Sequence, residues 1–180
     1  MKYWNVLAGA AAMLALSQSQ VAMAQAAANS CIKQADMADA VVFAMPSLIS
    51  AFRAKCGPSL PADGYIRTQG PKLAASYTAL QPAAWPGARR VLLGFAQSKA
   101  TRQDDGMAAM LASLPADAVR PFVDALIQQE VSKEIPIKDC GNIDRGVSLL
   151  APLPPENMGG LTVFLLRMAN VKKPNICESD

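Results

Sequence analysis

Ala116 to Lys133 reads ADAVRPFVDALIQQEVSK, and its period decides the class of fold. Val119, Phe122, Val123, Leu126, Ile127 and Val131 recur at i, i+3, i+4 and i+7, which gathers apolar side chains on one helical face. The same period extends in both directions along the chain. Upstream, Ile32 to Met45 carries Ala38, Val41, Val42 and Met45 at helical spacing, with Ser30 placed as an N-cap. Pro46 to Lys55 continues with Leu48, Ile49 and Phe52. Pro71 to Leu80 sets Leu73, Tyr77 and Leu80 on one face, and Gly87 to Ser98 turns Val91, Leu92 and Phe95 inward. Gly106 to Leu114 reads as a short helix after the polar loop Lys99 to Asp105. Downstream, Asp139 to Ala151 holds Ile143, Val147 and Leu150 on one stripe. Glu156 to Val171 holds Leu161, Phe164, Leu165 and Met168.

Strand-like alternation is nearly absent, and proline punctuates the segments. The expectation is a single, irregular all-α domain of six to eight short helices. Across Pro46 the first two stretches form either one kinked helix or two helices folded back; the hairpin is preferred, because proline disfavours the helical conformation in the residue before it. Gln81 to Pro86 is expected to be a break.

The extreme N-terminus stands apart. Lys2 supplies a positive start, Val6 to Leu16 is an uncharged apolar run, and Ala22-Met23-Ala24 and Ala24-Gln25-Ala26 are overlapping small-x-small sites. That order is a secretory signal over residues 1–26, with cleavage after Ala24 or Ala26. A membrane-spanning helix needs about 20 apolar residues, and this run is shorter. Residues 27–180 remain as one domain, with no integral membrane segment expected. Without Lys2 there are 16 basic and 14 acidic residues, a net of +2. So small a charge argues against nucleic acid as a partner.

All four cysteines, Cys31, Cys56, Cys140 and Cys177, lie beyond the signal. An even number in an exported chain reads as two disulfides. If the helices at 139–151 and 156–171 run antiparallel through the PLPP turn at 152–155, Cys177 returns beside Cys140. That leaves Cys31 for Cys56 across the Pro46 hairpin, so Cys31–Cys56 and Cys140–Cys177 is the preferred pairing.

The chain contains no histidine. That excludes Ser-His and Cys-His nucleophile systems and the common catalytic zinc sites. Each remaining motif has a plainer reading. Ser30-Cys31-Ile32-Lys33 has the S-x-x-K spacing without its companion elements. Asp139 to Gly146 lacks the ligand pattern of a calcium loop. Met107 and Met110 read as core filling. The pairs Asp36/Asp39 and Glu130/Glu134 read as solvated helix faces, and Arg89-Arg90 as a solvated helix end. No catalytic residue, metal site or cofactor is assigned. Asp144 and Arg145, flanked by apolar stripe positions, are the polar residues best placed for a partly buried ion pair.

Ile135 to Leu161 (IPIKDCGNIDRGVSLLAPLPPENMGGL) and Pro121 to Glu130 (PFVDALIQQE) resemble exported helical proteins of alphaproteobacteria, of sphingomonad type, that carry no assigned function. The resemblance implies a Gram-negative periplasm, with release from the cell as the other destination, and transfers no active residue. Three functional classes stand beside it. The first is a non-catalytic periplasmic protein whose helical apolar groove binds an envelope protein or a small apolar ligand. The second is a histidine-free hydrolase with paired carboxylates. The third is a structural or stress-related envelope protein. N-terminal sequencing of protein isolated from cells is expected to begin at Gln25 or Ala27; a chain beginning at Met1 would contradict the signal reading.

Overall fold

The computed structural model describes residues 31–99 and 113–178. The signal segment 1–26, Ser30, the loop after Lys99 and the Met107/Met110 pair lie outside the described residues. Seven α-helices are described: α1 Gln34–Cys56, α2 Tyr65–Thr68, α3 Gly70–Thr78, α4 Gln81–Lys99, α5 Ala116–Glu134, α6 Cys140–Leu150 and α7 Pro155–Met168. Single 3-10 turns occupy Gly57–Ser59 and Ile137–Asp139. No strand occurs among the described residues beyond one isolated parallel bridge, Ile32 to Ile176. The all-α class is thus the observed one, though three of its helices are long.

The axis of the fold is α1, 23 residues without a break at Pro46. The expected hairpin does not form. Proline inside a helix removes one backbone hydrogen bond and crowds the preceding turn. Here the carbonyl of Phe43, in that turn, accepts a hydrogen bond of 2.8 Å from Nε2 of the buried Gln81. The carbonyl that loses its helical donor at Pro46 is that of Val42; the Gln81 bond to the next carbonyl ties the same turn to a neighbouring helix. Gln81 opens α4, so Gln81 to Pro86 is helix rather than the expected break. At such an early position in α4, Pro82 is harmless.

Around α1 pack α3, α4, α5 and α7, while α6 packs on α2. Buried residues of α1 include Met37, Val42, Phe43, Ile49, Ala51 and Phe52, spread around most of its circumference. By length and composition the stretch Gln34–Ser59, of mean hydropathy 1.4, is also apolar enough to cross a membrane. In this fold the other helices clad it. Phe43 meets Trp85 of α4 with ring centroids 5.1 Å apart.

An unbroken α1 overturns the expected disulfides. At 1.5 Å per residue it is about 34 Å long, far beyond the roughly 7 Å that Cα atoms of a disulfide tolerate. Cys56, its last residue, pairs instead with Cys140, the first of α6, at a Cα separation of 5.5 Å. No cysteine is free, and Cys31 and Cys177 form the other bridge. The C-terminal tail accordingly runs beside the start of α1: Ile32 N–H donates to Asn175 O at 2.8 Å, and Cys177 N–H donates to Ile32 O at 2.9 Å.

The expected inward faces of two helices also shift. In α7 the buried residues are Met158, Gly159 and Val163, while Phe164, Leu165 and Met168 are 57%, 55% and 70% exposed. Gly159 sets this choice. A Cβ there would stand 2.5 Å from the carbonyl oxygen of Ala38, so the bare glycine admits α1 backbone at close range. In α5, Val119 is buried, whereas Phe122 and Leu126 are largely exposed. Phe95 of α4 is exposed as well.

Gly159→Ala is therefore expected to lower stability by about 1–3 kcal/mol through overpacking, outweighing the gain in helix propensity. The adjacent Gly160 has open space beside it, so Gly160→Ala should raise stability by about 0.5–1 kcal/mol. Urea denaturation of the two variants measures the contrast.

Candidate functional site

Two cavities flank α1. The first, of about 210 Å³, is lined from α1 by Met45, Leu48, Ile49 and Phe52. Ile66 of α2, Leu73 and Tyr77 of α3 and Val131 of α5 join them, followed by Ile135. Ile143, Val147 and Leu150 of α6, then Ala151, and Met158 of α7 complete the wall. Tyr77 alone among these carries a hydroxyl, and none carries a charge. The sequence reading foresaw several members as helix stripes: Leu73 with Tyr77, and Ile143 with Val147 and Leu150. It did not foresee that the stripes stand apart around a space.

Tyr77 is only 2% exposed. Burial, with the negative charge of Glu156 as a smaller cause, pushes its phenol above the ordinary tyrosine range. It therefore remains protonated, a donor, at neutral pH. Among the described residues its hydroxyl makes no hydrogen bond.

The second cavity, of about 240 Å³, is polar, with Pro46, Ser47, Ser50, Thr78, Gln81, Arg120, Asp124 and Gln128 in its wall. The buried Ser47 hydroxyl donates to Asp124 Oδ1. This cluster went unnoticed in the sequence because its members are scattered over four helices.

Asp144, one of the two residues singled out, enters no ion pair among the described residues. Its Oδ1 accepts from Ile66 N–H at 2.7 Å and its Oδ2 from Tyr65 N–H at 3.1 Å. It thus caps the start of α2 from 79 residues away. Arg145, its companion, is exposed. The ion pair lies elsewhere. Arg90 forks onto Asp36 with Nη2 to Oδ1 at 2.6 Å and Nε to Oδ2 at 2.9 Å. Reading Arg90 as a solvated helix end missed this, since its partner sits 54 residues earlier.

That contact separates the two carboxylates of the Asp36/Asp39 pair. The Arg90 hydrogen bonds hold Asp36 below the ordinary aspartate range, against an opposing effect of burial. Burial first, then the charge of Asp36, pushes Asp39 above it. Asp39 lies against Gly87, where a Cβ would come 2.2 Å from its Oδ2. Neither aspartate lines either cavity. Glu130, of the other pair, bonds Lys133 at 3.3 Å on an exposed surface. Among the described residues no three His, Cys, Asp or Glu side chains gather as a metal site.

No family model, no curated protein and no solved structure matches the chain.

The lowered Asp36 value fixes a sign. Its ion pair stabilises the fold above the ordinary aspartate pKa of about 3.9, and that contribution is lost as pH falls through the lower folded value. Asp36→Asn is expected to reduce the urea midpoint at pH 7, with the deficit shrinking as pH drops below about 4. For Asp39, whose value is raised, the contribution runs the other way and is lost as pH rises, so Asp39→Asn should cost less than Asp36→Asn at pH 7.

Proposed function

We propose that this is a non-catalytic periplasmic protein that holds a small apolar ligand in the cavity between α1, α2, α3, α5, α6 and α7. The observation that carries the reading is the cavity wall, apolar but for one hydroxyl and assembled from helices that the fold's disulfides help to fix. Apolar walls with few polar groups are the usual character of small-molecule sites. Size supports it too, since an engineered apolar cavity of about 150 Å³ takes up benzene. The disulfides fit an oxidising compartment, periplasmic or extracellular. The signal-like N-terminus and the resemblance to sphingomonad-type exported proteins favour the periplasm of the two.

The carboxylate-hydrolase reading finds less support. Asp36 is engaged by Arg90, Asp144 caps α2, and the polar cavity has a single carboxylate in its wall, Asp124.

Thermal unfolding with toluene tests the proposal. At tenfold excess over its Kd, toluene is expected to raise Tm by about 3–6 °C, and Ala151→Phe, which fills the cavity, should remove that shift. An unchanged Tm at aqueous saturation would contradict it.

A further inference from the structure

Packing on α1 uses one face of α7 and leaves another apolar face outside. Phe164, Leu165 and Met168 are each more than half exposed, and Val171, just past the helix, is exposed too. Met168 follows the other two by three and four residues, so the three adjoin on one ridge. Asn170 takes a left-handed φ of 55°, and Val171 N–H donates to Leu166 O at 3.0 Å, which holds Val171 at the end of α7. A single exposed apolar side chain needs no explanation, but a cluster marks a contact surface. None of the four lines either cavity.

Charge points to what covers the ridge. From Asn157 to Cys177 the sequence has no Asp or Glu, but Arg167, Lys172 and Lys173 are all exposed there. Exposed Lys33 lies at the same end, because the backbone bonds of Ile32 to Asn175 and Cys177 hold the start of α1 beside the tail. The carboxylates are placed elsewhere. Asp36 is engaged by Arg90, and Glu156 stands about two turns before Phe164. Glu178, whose backbone carbonyl accepts from Arg167, and Asp180 follow the disulfide cysteine. Phe164, Leu165 and Met168 offer no hydrogen-bonding group. A specific protein interface carries about one hydrogen bond per 100–200 Å², whereas the boundary between lipid headgroups and acyl chains asks only for apolar side chains with cations beside them. Lysine suits that boundary, its stem lying along the apolar region while the ammonium reaches phosphate. We propose, independently of the cavity, that α7 and the tail after it seat the protein on an anionic phospholipid surface. Phe164, Leu165 and Met168 enter the interface, and Lys172 and Lys173 meet the phosphates.

Co-sedimentation of the mature, oxidised protein with vesicles tests this, using phosphatidylcholine alone and phosphatidylcholine containing one third phosphatidylglycerol. Binding is expected to the anionic vesicles at about 0.01 M salt, at least about tenfold weaker to phosphatidylcholine, and much reduced at about 1 M salt. Lys172→Gln with Lys173→Gln should weaken it roughly 10- to 30-fold, and Phe164→Ser with Met168→Ser at least about tenfold. All four side chains are exposed, so the urea midpoint of each double variant should stay close to that of the wild type. No binding to the anionic vesicles, equal binding to both kinds, or either double variant binding as the wild type does would overturn the proposal. A wild type that ignores vesicles but dimerises in sedimentation, and loses the dimer with Phe164→Ser and Met168→Ser, would assign the ridge to a second copy of the chain and overturn it as well.

Discussion

A helix apolar around most of its surface has to be covered, and in this protein that requirement falls on Gln34–Cys56. Met37, Val42, Phe43, Ile49 and Phe52 face different directions from one axis and are all buried. The remaining helices are placed by the need to enclose them. Continuity through Pro46 is the condition for this. A bend there would bring Cys56 back toward Cys31 and leave no central element for α3, α4, α5 and α7 to meet. Gln81 keeps the turn before Pro46 hydrogen-bonded to an adjacent helix. Cys56–Cys140 then fixes the C-terminal end of α1 to α6 across 84 residues. On the chain-entropy account, closing a loop of that length contributes about 4.5 kcal/mol.

The polar groups of the interior follow the same geometry. Toward the N-terminal end of α1, Asp36 is buried but receives the Arg90 fork, so the helix keeps a charge without leaving it unpaired. Midway, Ser47 engages Asp124 of α5 and Gln81 engages the Phe43 carbonyl. On another side of the same helix, Met45, Leu48, Ile49 and Phe52 face a space that the surrounding helices do not fill. The space is partly open, with Leu48 and Leu150 of its wall exposed. An apolar occupant of such a cleft would stabilise the fold by mass action, which links the packing to the proposed binding role.

Periodicity in the sequence reveals which segments are helices, and Ala116–Lys133, Pro71–Leu80 and Asp139–Ala151 lie close to the observed elements. It does not say which face meets the core when two faces are apolar. In α7, Leu161 does pack against the core, but Gly159 permits a close approach to the backbone of α1, and Phe164, Leu165 and Met168 are left exposed. Proline alone does not decide where a helix ends. Its local cost is real, yet packing of α1 against four other helices keeps the helix continuous through Pro46. The Cys31–Cys56 pairing requires a hairpin at Pro46 and falls with it. The cavity was legible only as separate stripes, since a void is a property of how helices meet. The Asp36–Arg90 and Asp144–α2 contacts join residues too far apart in the chain for local spacing to disclose.

Disulfide mapping by mass spectrometry of the proteolysed, unreduced protein bears most directly on the straight central helix. Peptides joining Cys56 to Cys140 and Cys31 to Cys177 are the predicted result. A peptide joining Cys31 to Cys56 would require the chain to fold back near Pro46, and would contradict both the helix and the arrangement built around it.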